Sequence, residues 1–190
     1  MLAYLVLLVA VLSRILPHAF HAVSWNFTAL GGGLLFFGSR MGSSKRAAWM
    51  LPSAVAVLMA TDYYLTVFAF GYPFQIREYA VTWLWYAIVC LLGMGMLQMP
   101  TALRVVAGVL ATSTSFFLLS NFMVWFGGSM SMYPHSFAGL AACYIAGLPF
   151  YRNDLVSTAL TAGALFGLPV LAARIAESFH TSHRNDHPLA

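Results

Sequence analysis

Apolar residues run along this chain in long segments, at 2–16, 27–39, 47–70, 80–99, 102–126, 137–150 and 155–173, and polar residues collect in the gaps. About 20 consecutive apolar residues cross a bilayer as a helix, so the pattern predicts an all-α integral membrane protein. Pro17, Gly71-Tyr72-Pro73, Pro100 and Gly127-Gly128 punctuate the gaps as helix breakers or ends. Two segments are short. Residues 27–39 reach spanning length only if Ser24, Trp25 and the stretch to Met41 join the helix. Residues 137–150, held between Pro134 and Pro149, suit a re-entrant or interfacial helix better than a crossing. The expectation is a six-transmembrane-helix bundle with that short extra helix. It forms a single transmembrane domain over 1–173, followed by a polar C-terminal tail, 174–190.

Composition narrows the picture. The chain is 61% hydrophobic and 7% charged, against about 25% charged in soluble domains, so it cannot cover a water-facing surface. Its net charge of +4 forms no patch suited to nucleic acid. With six spans, Arg40, Lys45, Arg46, Arg104, Arg174 and Arg184 fall on one side, and Arg77 and Arg152 on the other beside Glu78 and Asp154. That bias predicts cytoplasmic termini in a bacterial inner membrane. The first apolar run has no Lys or Arg before it and no small-x-small site after it, so it is expected to be a retained helix. Cys90 and Cys143 sit in different apolar segments and are expected to be small core residues, not a disulfide framework.

This orientation places the polar, aromatic-rich stretches 17–27, 70–79 and 127–136 together on the outer face, as a binding mouth would be. Gly127-Gly128, with Tyr133-Pro134 after it, would hinge residues 137–150 as a lid.

Asp62, in Thr61-Asp62-Tyr63-Tyr64, lies within an apolar segment. A carboxylate at membrane depth costs about 2.5–3.5 kcal/mol on insertion scales, so it faces a cavity or a partner. Arg14 or a hydroxyl could be that partner and simply lock two helices. His18 and His21, three residues apart and followed by Trp25-Asn26-Phe27, could share a metal or could be interfacial polar residues. No third ligand and no His-Glu-x-x-His motif accompanies them, so no metal site is expected. Asn121, near Trp125, is either interhelical glue or a ligand contact. Tyr133-Pro134-His135-Ser136 forms a turn, and Ser136 beside His135 is adjacency without the third group nucleophilic catalysis needs. Arg152-Asn153-Asp154 resembles an N-cap for the last helix. Arg77-Glu78 is expected to be a solvated pair. Gly31-Gly32-Gly33 lies in an apolar helix, where it permits close packing and cradles no phosphate.

The stretches Leu16-Pro17-His18, Asn26-Phe27-Thr28, Leu35-Phe36-Phe37-Gly38, Ser120-Asn121-Phe122 and Tyr133-Pro134-His135-Ser136-Phe137-Ala138-Gly139 resemble those of a bacterial family of small membrane proteins of unknown function, grouped with transport proteins. The resemblance covers roughly residues 12–170. That family in turn is similar to the S components of energy-coupling-factor (ECF) transporters, six-helix proteins that capture vitamins from outside. The chain looks most like their solitary cobalamin-transporting members. The resemblance implies cobalamin as a transported ligand, an ECF-type energising module as a partner, and His18, Asp62 and Tyr79 near the ligand. One departure stands out. Those proteins can use a cysteine after the third helix as a cobalt ligand, whereas residues 70–79 contain none and Cys90 lies deeper.

The leading expectation is therefore a non-enzymatic micronutrient transporter subunit that needs no cofactor. Tyr63, Tyr79, Trp25, Phe27, Trp125 and Tyr133 would wall the ligand, with His18, Asn26, Asp62, Asn121 and His135 as polar contacts. The alternatives are an integral membrane enzyme acting on a lipid or isoprenoid, which would need paired carboxylates or a metal cluster, and a membrane assembly subunit.

Overall fold

With no water to satisfy backbone groups in hydrocarbon, a spanning segment must close its hydrogen bonds internally, and this chain does so by helices. The computed structural model describes residues 1–19, 27–42, 44–127 and 132–172. Its helices are α1 (Leu2–Ala19), α2 (Leu30–Ser39), α3 (Ser44–Tyr64), α4 (Ile76–Met96), α5 (Ala102–Gly127) and α6 (Phe137–Ala162). A π-turn, Leu65–Ala69, extends α3, and another, Gly163–Gly167, carries α6 onward to Ala172. Five of these helices are long and apolar enough to cross a membrane, which makes the chain a multi-pass membrane protein. The short one is α2. At about 1.5 Å per residue its ten residues cover about 15 Å, half a hydrocarbon core.

α2 is nevertheless the centre of the molecule. Every residue from Gly31 to Ser39 is buried, and α1, α4, α5 and α6 all pack on it. Its glycines make this possible, each facing a different neighbour. A side chain on Gly31 would meet Thr158 and Thr112, one on Gly32 would meet Thr161 and Ala162, and one on Gly33 would meet Ala10 at 3.1 Å. Gly38 and Gly93 form a reciprocal contact: a Cβ on Gly38 would land on the Cys90 carbonyl, and one on Gly93 on the Leu35 carbonyl. Backbone approach of this kind drives helix association where lipid removes the hydrophobic incentive. The expectation that Gly31-Gly32-Gly33 allows close packing is met, as is that of free, buried Cys90 and Cys143.

The helices alternate in direction. Tyr4 meets Ser53 and Phe37, Gln98 bonds the Gly42 carbonyl, and Phe36 packs on Phe166. These contacts put the start of α1, the α2–α3 and α4–α5 turns and the far end of α6 at one end of the bundle. His18 against Phe70 and Phe74 against Tyr79 mark the opposite end. Gly42 and Gly71 take positive φ, 67° and 71°, in the turns that follow α2 and the α3 π-turn, where a side chain would be strained.

Three sequence expectations are corrected here. Residues 137–150 are not a separate re-entrant helix but the first part of the 36-residue helix Phe137–Ala172. Pro149 lies inside it: a proline removes one helical bond, whereas breaking the helix in lipid would strand several backbone groups. A segment held in this way cannot swing alone as a lid. Asn153 and Asp154 consequently cap nothing and lie mid-helix, and Arg152 leaves the loops for the exposed side of α6. The residue that caps α6 is Ser136, whose hydroxyl accepts the Gly139 N–H at 3.2 Å. Finally, α3 and α4 begin earlier than their apolar runs, so Lys45 and Arg46 lie in the first turn of α3 and Arg77, Glu78 and Tyr79 in that of α4. The 174–190 tail lies outside the described residues.

Candidate functional site in the bundle interior

Asp62 is reached through the last turns of α3. It is 2% exposed, and three side chains from two helices converge on it. Arg14 of α1 donates from Nη2 to Oδ1 at 2.5 Å, Trp83 donates Nε1–H to Oδ2 at 2.9 Å, and the Tyr86 hydroxyl donates to Oδ1 at 3.4 Å. Arg14–Asp62 is the one ion pair among the described residues. The Thr66 hydroxyl bonds the Asp62 carbonyl at 2.7 Å and shares a 2.6 Å bond with the Tyr79 hydroxyl. Thr66 lies in the π-turn, a local widening of the helix common at functional sites. Tyr79, Trp83 and Tyr86 recur at one-turn spacing on α4, so they line one face.

Arg14, Asp62, Tyr79 and Tyr86, though not Trp83 or Thr66, line a cavity of about 160 Å³. Thr82 and Trp85 continue this wall along α4, and Asp154 of α6 stands on the far side. Arg14 Nη1 and Asp154 Oδ2 are buried with no hydrogen-bond partner. The interior thus holds one guanidinium and two carboxylates, with one donor and one acceptor unused. Thr82, Trp85 and Phe116 also line a much larger cleft, about 830 Å³, between α4 and α5. Arg77, Glu78 and Gly127 at its rim place it toward the end of the bundle where α4 begins.

Of the residues singled out from the sequence, the structure brings Asp62 and Tyr79 together at this cavity. The lock with Arg14, which the sequence left open, exists, but it also forms a cavity wall. His18 is exposed at the end of α1 against Phe70. Tyr63 is 47% exposed and packs on Phe68 and Phe74, outside the cavity. Phe27 is half exposed. Asn121 sits in the α5–α6 seam: its amide bonds the Phe117 carbonyl at 2.8 Å, and its side chain covers Gly147. Trp125 donates to the Pro134 carbonyl at 3.0 Å and packs on His135. With half-buried Tyr133, these form the turn before α6, away from the cavity. His21, Trp25 and Asn26 lie outside the described residues.

Sequence reasoning missed Thr82, Trp83, Tyr86 and Asp154. A signal existed for each. Tyr79, Thr82-Trp83 and Tyr86 repeat at helical spacing, as do Asp154, Ser157-Thr158 and Thr161 on α6. A polar stripe of that period on an apolar helix faces the bundle interior.

No curated protein and no solved structure matches the chain. Residues 1–179, nearly its whole length, match the profile of a family described as Family of unknown function (DUF6580). The match takes in all six helices and every wall of the interior cavity, and the chain belongs to that family.

Proposed function

We propose that this chain is a membrane transporter subunit that binds a small polar micronutrient in the interior cavity and admits it through the α4–α5 cleft. The observation that carries this reading is the polar cavity at Arg14, Asp62 and Asp154, which shares three lining residues with a wide cleft. Buried, unsatisfied polar groups cost about 1–3 kcal/mol each, and ionisable residues at membrane depth mark solute paths. A solute that accepts from Arg14 Nη1 would relieve one such cost.

Size limits the solute. The inner cavity, about 160 Å³, is below the roughly 300–1,000 Å³ of drug-sized sites, so a corrin ring does not fit there. Cobalamin would have to be held at the cleft, and a compact vitamin-like solute is the better match. An enzyme acting on lipid is less well supported, although Asp62 and Asp154 line one cavity. Asp62 is already engaged by three donors, which leaves it poorly placed for acid–base work.

The orientation proposed is a bacterial inner membrane with the Arg40, Lys45, Arg46 and Arg104 end in the cytoplasm and the cleft facing outward. An ECF-type energising module would dock on the cytoplasmic end. A cysteine introduced at Ser182 should react with a membrane-impermeant maleimide only after the cells are opened. Reaction in intact cells would reverse the orientation.

Wild-type protein purified in mild detergent should carry one small molecule in near-stoichiometric amount, detected by mass spectrometry of the denatured sample. Thr82→Phe, which fills the junction of cavity and cleft, should lose it while keeping its melting profile, and His18→Ala should keep it. An empty wild type, or equal retention by Thr82→Phe, would overturn the transport reading.

A further inference from the structure

Charge in the interior of the bundle is unmatched. Arg14 and Asp62 form an ion pair, whereas no cation pairs with Asp154 among the described residues. Asp154 is 8% exposed and lies about halfway along the helix Phe137–Ala172, and its Oδ2 has no hydrogen-bond partner. A buried charge left alone in a low-dielectric interior is strongly unfavourable, and a carboxylate at membrane depth faces a partner or a cavity. Asp154 faces a cavity. It lines the same space of about 160 Å³ as the Arg14–Asp62 pair.

The rest of that lining bears on what fills it. Arg14 Nη1 is also buried without a partner, and it is a donor where Asp154 Oδ2 is an acceptor. The helices that carry them, α1 and α6, both pack on α2, so the two groups reach the cavity from separate helices. Tyr79, Trp85, Tyr86 and Phe116 bring four aromatic rings to the same lining, and aromatic faces attract an organic ammonium. The volume equals that of about five waters at roughly 30 Å³ each, which suits a solute of about as many non-hydrogen atoms.

We propose that the solute of this cavity is a small organic cation, with an ammonium group on Asp154 and a neutral carbonyl or hydroxyl oxygen that accepts from Arg14 Nη1. The proposal rests on the reading of the cavity as a solute site and adds the charge of what it takes. One guanidinium and two carboxylates leave the lining with a single net negative charge, which a monocation neutralises. A zwitterion leaves the net charge as it was and sets a third carboxylate beside Asp62 on one guanidinium. An anion deepens the excess. A neutral solute, or water, satisfies hydrogen bonds but leaves Asp154 without a counter-charge.

Three probes of equal size separate these cases. At neutral pH glycinamide is mostly a cation, glycine is a zwitterion and glycolamide is uncharged. Purified wild-type protein, dialysed in mild detergent to empty the cavity, should gain about 3–5 °C in Tm from saturating glycinamide hydrochloride over sodium chloride of equal ionic strength. Glycine and glycolamide should need about tenfold higher concentration for half that shift. Asp154→Asn should melt no lower than wild type without probe, because the lone charge is gone, and should respond equally to glycinamide and glycolamide. No response of wild type to glycinamide, an equal or stronger response to glycine or glycolamide, or an Asp154→Asn variant that keeps the preference would overturn the proposal. The wild-type ranking decides the matter even where a variant misfolds. The two readings fall separately. A wild type that leaves the cell empty yet prefers glycinamide keeps this site and loses the transport role, whereas a native solute that proves anionic or zwitterionic keeps transport and overturns the cation.

Discussion

Arg14→Met should destabilise the folded protein by about 3–5 kcal/mol. The substitution is apolar and of similar length, so it preserves packing while removing the cation that holds Asp62. Asp62 is 2% exposed and would keep only the Trp83 and Tyr86 bonds. Two neutral donors do not repay the desolvation of an ionised carboxylate. Asp62→Asn should cost less, since an amide oxygen can still accept from Arg14 and no anion is left behind. The double variant Arg14→Met with Asp62→Leu should recover much of the single-variant loss, because a buried pair can be exchanged for apolar groups more cheaply than it can be halved. Unfolding titrations in mixed micelles would measure all three. If Arg14→Met proves no worse than Arg40→Met at the exposed end of α2, the ion pair contributes nothing.

Gly38→Ala should be as damaging by an unrelated route. The new methyl would coincide with the Cys90 carbonyl oxygen, which belongs to the backbone of α4 and cannot rotate away. The helices must part, and every contact along the α2–α4 seam weakens with them. Overpacking a close-packed interior costs about 1–3 kcal/mol, and a backbone collision lies at the upper end or beyond. Gly93→Ala meets the Leu35 carbonyl and should match it. Gly95→Ala and Gly163→Ala meet nothing within 4 Å. Both should be neutral or slightly stabilising, because alanine favours a helix by up to about 1 kcal/mol over glycine. Equal melting of all four variants would remove the close-approach argument.

How far the sequence disclosed this molecule depended on how many physical causes act at each position. Long apolar runs have one cause, the hydrocarbon thickness, and α1, α3, α4 and α5 follow them to within a few residues. Pro149 has two opposed effects, and in lipid the cost of stranding backbone groups outweighs its tendency to break a helix. Asp154 was hidden by the same error. Once a helix is assumed to start there, an acid beside an asparagine looks like a cap, and its period with Ser157 and Thr158 goes unused. Asp62 was legible because one carboxylate in an apolar run has few explanations. Its donors were not, apart from Arg14, since Trp83 and Tyr86 are equally at home in an aromatic belt. The outer residues His18, Trp125 and His135 drew notice for their chemistry, and nothing local in sequence says that the polar cavity lies deeper.

The buried position of α2 has a consequence for biosynthesis. During synthesis α2 emerges second, and α1 is there to cover Gly33, yet the α4 surface that meets Gly38 and the α6 surface that meets Gly32 emerge fourth and sixth. Too short to span alone and nearly all apolar, it must wait at the translocon or along α1 until the later helices enter the bilayer. The native state therefore has no autonomous half: a chain arrested after α3 contains the central element with α1 against it but lacks α4, α5 and α6, which cover the rest of its surface. Quality-control proteases that extract unassembled helices would find α2 exposed in every incomplete product, and only full-length chains would be spared.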